Sequence, residues 1–142
     1  MSLKKVDQVN LSKYLGIWYE IASFPSWFQK GCTNTTAEYK MEQDHVQVKN
    51  SCDVNEKRKT RLAKAFTTDV DNILKVQFYP LIKADYVIEF VDEKYNHAIV
   101  GSNNKKYLWI LSRKKTINED VYEELIDIAK KKGYDVSRLE KH

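Results

Sequence analysis

The sequence predicts an all-β protein of eight antiparallel strands followed by one helix, arranged as a barrel or a sandwich. Short segments with apolar residues at every second position recur eight times between polar turns, the pattern of strands buried on one face. Near residue 118 that period gives way to one of about 3.6. A chain of 142 residues with two prolines, four glycines, three tryptophans, nine tyrosines and five phenylalanines is rich in core formers and poor in breakers, so it should fold.

The first strand covers residues 18–24, and later ones about 33–41, 45–52, 60–67, 73–79, 85–91, 97–101 and 106–113. The fifth is the clearest, because Leu74, Val76 and Phe78 alternate with Lys75 and Gln77. Val46 and Val48 against Gln47 and Lys49 repeat the pattern in the third. Strands wet on one face argue for an antiparallel meander with short hairpins, since parallel strands are apolar on both faces. The helix is expected over about 118–132, where Val121, Tyr122, Leu125, Ile128 and Ala129 share a face opposite Glu123, Glu124, Asp127 and Lys131. Thr116 and Glu119 have capping-box spacing, and Asn118 is an alternative N-cap. Lys130 to Lys132 suit the negative end of the helix dipole, and Gly133 is the stop. The apolar stripe is expected to dock on the sheet. A short last strand is expected at about 135–139.

Several function classes are excluded by spacing. The glycines stand at 16, 31, 101 and 133, too far apart for a P-loop or a GxGxxG turn. Cys32, Cys52, His45, His97 and His142 make no CxxC or HxxxH pair, so no metal site is expected. GxSxG is absent and His97 reads as a strand histidine, so no catalytic residue and no cofactor is expected. The longest apolar run, Tyr107 to Leu111, is far shorter than the ~18 residues of a spanning helix. Net charge is +4, from 24 basic and 20 acidic residues in short clusters such as Lys57-Arg58-Lys59 and Lys130-Lys131-Lys132. So small an excess neutralises few phosphates, and no nucleic-acid partner is expected.

Gly16-Ile17-Trp18-Tyr19-Glu20 on the first strand, Val91-Asp92-Glu93-Lys94-Tyr95 between the sixth and seventh, and Leu108-Trp109-Ile110-Leu111-Ser112-Arg113 at the eighth resemble the three motifs of the lipocalins. Together with Thr36-Ala37-Glu38-Tyr39 they most resemble the bacterial lipocalin and apolipoprotein D branch. The resemblance covers nearly the whole chain and implies a single lipocalin domain over 1–142. Its parts would be an eight-stranded up-and-down barrel over about 16–113, closed at one end, and a helix packed outside. It also implies that Gly16, Trp18 and Arg113 form the barrel floor, with the guanidinium across the indole.

Alternation run from those anchors places Glu20, Ala22 and Phe24 of the first strand inside. The ligand-lining residues expected from it are Ala37, Tyr39, Val46, Val48, Phe66, Leu74, Val76, Phe78, Tyr86, Ile88 and Trp109, with Leu62, Phe90 and Leu111 also inward. An eight-stranded barrel holds one small ligand. The expected function is non-enzymatic binding, transport or storage of a single-chain lipid such as a fatty acid or lysophospholipid, in cell-envelope lipid maintenance. A contact with a membrane surface and a monomeric or weakly dimeric state go with that reading. The branch implies an extracytoplasmic location, periplasmic or at the outer membrane, although no signal peptide or lipidated cysteine is visible. Two alternatives are an enzyme with a cup cysteine as nucleophile and an interaction or scavenging module working through rim loops such as Pro25-Ser26-Trp27-Phe28. Cys32 and Cys52 flank a hairpin turning near Glu42 to His45, so they are expected to form a cross-strand disulfide.

Overall fold

A computed structural model describes residues 3–25, 29–78 and 82–142. A short helix, α1 (Leu11–Tyr14), leads into eight strands: β1 (Gly16–Ser23), β2 (Thr33–Met41), β3 (Val46–Val54), β4 (Lys57–Thr67), β5 (Ile73–Phe78), β6 (Ile82–Val91), β7 (His97–Gly101) and β8 (Leu108–Ser112). After them come α2 (Glu119–Lys131), a 3-10 turn (Val136–Arg138) and a two-residue strand, β9 (Glu140–Lys141). Each strand pairs antiparallel with the next, and β1 pairs with both β8 and β2, which closes the eight into a barrel. Of the two arrangements open to the sequence, the structure is the barrel.

The hydrophobic residues divide into two clusters on the two sides of the barrel wall. Inside lie Trp18, Tyr39, Val46, Val48, Leu74, Val76, Ile88, Val100 and Leu111. Outside, Ile21, Ala22, Phe24, Phe90, Ile99, Leu108 and Ile110 meet Tyr122, Leu125 and Ala129 of α2. Leu125 is wholly buried there, a contribution of about 2 kcal/mol for one leucine side chain. The Asn118 side chain caps α2 by accepting from the Asp120 N–H at 2.7 Å, so the cap is Asn118 rather than the Thr116 box.

Three expectations about facing are corrected. In β1 the register slips between Glu20 and Ala22, so Glu20 stays inward opposite Leu111 while Ala22 and Phe24 turn outward onto α2. A second slip between Ile88 and Phe90 turns Phe90 outward and returns Val91 to the interior. A bulge adds one residue to one strand, and every side chain beyond it changes face. In β4 the inward residues are Ala63 and Ala65, paired with Val48 and Val46. Leu62 is therefore 55% exposed, and Phe66 lies on the outer face with its ring 6.2 Å from that of His45. Bulky residues suggested the wrong parity there, because a wall around a hollow can be lined with alanine.

The C-terminal segment also differs from expectation. Residues 136–138 form a 3-10 turn, and the strand that follows, β9, pairs with Ala22 and Ser23 in the seam where β1 has parted from β2. The unforeseen N-terminal stretch crosses the opposite end: Lys5 bridges to Asp92, and Val6, Val9, Leu11 and Leu15 pack against the inner cluster.

Candidate functional site

Strand direction puts the hairpin turns at 41–46, 67–73 and 91–97 at one end of the barrel and the connections at 23–33, 54–57 and 101–108 at the other. The first end is sealed. Trp18 is fully buried, with the Arg113 guanidinium 3.8 Å above its ring. Arg113 donates to five carbonyl oxygens: Tyr95 (3.0 Å), Ile17 (2.9 Å), Lys13 (3.0 Å), Tyr14 (3.2 Å) and Leu15 (3.0 Å). Three of them end α1, so the guanidinium gathers the orphan carbonyls of the helix terminus. Gly16 has φ +102°, in the left-handed region, and a Cβ there would stand 3.4 Å from Arg113 Nη1.

Above the floor a tyrosine layer crosses the barrel. Tyr86 Oη lies 2.5 Å from Tyr14 Oη and 2.6 Å from Tyr39 Oη, so the three hydroxyls satisfy one another. Burial pushes all three phenols up, Tyr39 to about 12. Tyr14 was not foreseen; its sequence neighbourhood carries neither helix nor strand periodicity.

Beyond that layer parts of the inner wall are open to water. Ala37, Tyr86 and Trp109 face inward against the core yet remain partly accessible to water. Ala84, opposite inward Val76, is exposed. With Ala63 and Ala65, alanines thus line the wall on β2, β4 and β6, leaving room where larger side chains would close it. The structure therefore brings Ala37, Tyr39, Val46, Val48, Leu74, Val76, Tyr86, Ile88 and Trp109 together around one cup. Phe66 is outside it, and the Phe78 side chain lies outside the described residues, as do Ser26, Trp27 and Phe28.

One polar group in the cup wall went unforeseen as a site. Glu20, whose side chain is 5% exposed, accepts from Gln29 Nε2 at 3.1 Å, and its other oxygen lies 3.0 Å from His142 Nε2. Gln29 Oε1 in turn accepts from the Trp109 indole at 3.3 Å, and His142 Nε2 is 2.9 Å from Ser23 Oγ. A buried carboxylate is tolerated here because both its oxygens are met. A recess of about 480 Å³ opens beside this network at the mouth, bordered by Ser23, Gln29, Cys32, Glu140 and His142. A larger cleft of about 950 Å³ lies outside the sealed end, between the N-terminal stretch and Glu93. Its lining of mixed charges, including Lys4, Lys5 and Asp7, is wet and makes it no home for an apolar ligand.

Hydrogen bonding to Glu20 raises the His142 pKa above its ordinary 6.5 despite opposing burial, and the charges of Glu20 and Glu140 add to the rise. A raised pKa means that the imidazolium stabilises the docked terminus fully below about pH 6.5 and loses its effect as pH climbs through the folded-state value. An NMR titration of the imidazole is expected to give a midpoint above 6.5 that falls in Glu20→Gln; a midpoint at or below 6.5 in the wild type would contradict the pair.

At the rim Cys32, just before β2, is disulfide-bonded to Cys52 on β3, with Cα atoms 5.3 Å apart. Both thiols are consumed, which leaves no nucleophile for the cup-cysteine enzyme reading. At the other end Asp92 accepts from His97 Nδ1 at 2.8 Å and from the Asn96 N–H at 2.7 Å. Burial would raise its carboxyl, but these bonds outweigh it and hold the group below the usual range. This pair fixes the turn between β6 and β7, far from the cup.

The family model described as "Lipocalin-like domain" matches residues 9–142. The chain is 38% identical to temperature-induced lipocalin-1 of Arabidopsis thaliana, over 98% of this chain and 81% of that one. It is 35% identical to the outer membrane lipoprotein Blc of Vibrio cholerae, over 97% of this chain and 84% of that one. Among solved structures, insecticyanin of the tobacco hornworm Manduca sexta superposes with a TM-score of 0.78 at 21% identity, covering all of this chain (100%) and 84% of that one, a likeness of fold.

Proposed function

The chain belongs to the lipocalin family, and from that membership we propose that it binds and carries a single-chain lipid, a fatty acid or lysophospholipid, in the cup. The observation that supports this most is the partly accessible inner wall: Ala37, Tyr86 and Trp109 face the core and still meet water. The tail lies among Tyr39, Val46, Val48, Leu74, Val76, Ile88 and Trp109, and the head stays at the mouth, where it keeps its hydration. The tyrosine hydroxyls at the base are occupied by one another and leave the deep cup to hydrocarbon. Binding without catalysis, by one lipocalin domain, is the reading. The relatives named outer membrane lipoprotein and the disulfide support an extracytoplasmic place, in upkeep of cell-envelope lipids.

Val76→Trp tests the reading. The substitution adds bulk at an inward, 5% exposed position in the wall and is expected to weaken fatty-acid or lysophospholipid binding about tenfold or more while the protein stays folded. Titration followed by tryptophan emission measures it, with Trp109 at the cup as reporter. Unchanged affinity, or a wild type that takes no amphiphile at micromolar concentration, would refute carriage in this cup.

A further inference from the structure

The upper half of β4 carries three cations on the cup-facing side. Arg61, Lys59 and Lys57 follow Ala65 and Ala63 at every second residue and pair with Asn50, Cys52 and Val54 of β3. All three are exposed, and among the described residues none has a side-chain hydrogen-bond or ion-pair partner. The outward cation of the same stretch is satisfied: Arg58 donates to Asp53 at 3.1 Å, to the Asn34 carbonyl at 2.7 Å and to Thr36 Oγ1 at 2.9 Å. Nearby carboxylates do not neutralise the row. Glu20 is committed to Gln29 and His142, and Asp53 to Arg58 and Asn34. Glu56 occupies the β3–β4 turn, and Glu140 stands beside the recess at β1 and β9.

Same-face residues on a strand are about 7 Å apart. Solubility alone would be served equally by cations on the outer face, where Lys49 and Lys64 already stand exposed. On the inner face the row repels itself and, among the described residues, has no partner. The position of the row supplies a reason. A hydrocarbon tail seated against Ala63 and Ala65 brings its head one step up the same strand, level with Arg61 and then Lys59. Resting on the carriage reading above, we infer that Arg61 and Lys59 are the head-group subsite of the cup, and that they select an amphiphile ending in an anion, a carboxylate or a phosphate. Arg61 supplies the bidentate fork and Lys59 a mobile point charge.

The test compares hexadecanoate with hexadecanol, which share a tail and differ in head charge. The proteins are the wild type, the inward double variant Lys59→Gln/Arg61→Gln, and an outward control, Lys49→Gln/Lys64→Gln, with the same loss of net charge. Calorimetric titration is expected to show hexadecanoate binding weakened about tenfold in the inward variant alone, with hexadecanol unchanged in all three. The wild-type preference for hexadecanoate should shrink between ~0.1 M and ~1 M salt, as the screening length falls from about 10 Å to about 3 Å. Hexadecanoate affinity within about twofold of wild type in the inward variant, or an equal loss in the outward one, overturns the subsite and leaves carriage intact. A wild type that binds neither amphiphile overturns both. Circular dichroism of the variants separates a lost subsite from a lost fold.

Discussion

Replacing Arg113 by alanine is expected to cost the fold about 3 kcal/mol, the scale of removing a half-buried side chain that hydrogen-bonds several carbonyls and covers a buried ring. The side chain reaches Tyr95 on the β6–β7 turn, Ile17 on β1 and the last carbonyls of α1 together, and it covers the Trp18 ring at 3.8 Å. Its loss strips the guanidinium from five carbonyl oxygens, of which that of Tyr14 still accepts from the Trp18 indole at 2.8 Å, and opens the floor to water beside that fully buried ring. Arg113→Lys keeps the charge but not the planar fork, and is expected to recover less than half of the loss. Lys131→Ala is the control. Its pair with Asp127 at 3.0 Å is exposed on both sides, and such a surface pair contributes well under ~1 kcal/mol. Thermal unfolding of the three variants decides the matter, and equal midpoints for Arg113→Ala and Lys131→Ala would contradict the role of the floor.

Gly101→Ala is expected to destabilise by about 2–4 kcal/mol, for a methyl group alone. A Cβ at Gly101 would stand 2.0 Å from Tyr134 Oη, 2.5 Å from Cζ and 2.9 Å from Cε1. Tyr134 cannot yield cheaply. It is 3% exposed and packs in the cluster that holds α2 to the barrel. Its hydroxyl donates to Glu89 at 2.6 Å and also lies 3.2 Å from the Ser102 carbonyl. Expelling the ring loses that burial and those bonds together. A double-mutant cycle isolates the mechanism: in a Tyr134→Ala background the same glycine change is expected to cost under ~0.5 kcal/mol. Full cost in both backgrounds would place the strain elsewhere.

Much of the barrel was legible because its physics is local. A strand with one wet face must alternate, so β3 and β5 fall where Val46 and Val48, and Leu74 and Val76, alternate with polar residues, and α2 falls where Tyr122, Leu125 and Ala129 recur at helical spacing. The disulfide was legible for a related reason, since a hairpin brings its two arms to cross-strand distance. Of the cup, the inward residues on β3 and β5 could be read from alternation alone, because neither strand contains a register slip.

The rest depended on events that leave no periodic trace. Whether Ala22, Phe24 and Phe90 serve the cup or the helix is decided by bulges after Glu20 and Ile88, where one inserted residue reverses every later side chain. The inner face of β4 was hidden because alanine carries little hydrophobic signal, whereas Leu62 and Phe66 on the wet side carry much. Tyr14, Glu20 and His142 became site residues only when segments distant in the chain met: α1 at the floor, and the terminal strand in the seam between β1 and β2. By itself, then, the sequence determined the eight strands and the helix but left barrel and sandwich open, because burying one face of each element is a local demand on residue pattern, whereas closure is made by β1 pairing with both β8 and β2. The tertiary structure alone decided which residues line the hollow and which polar groups are paired within it. Those depend on register, bulges and contacts between the chain's two ends, where the energy lies in meetings that no single segment encodes.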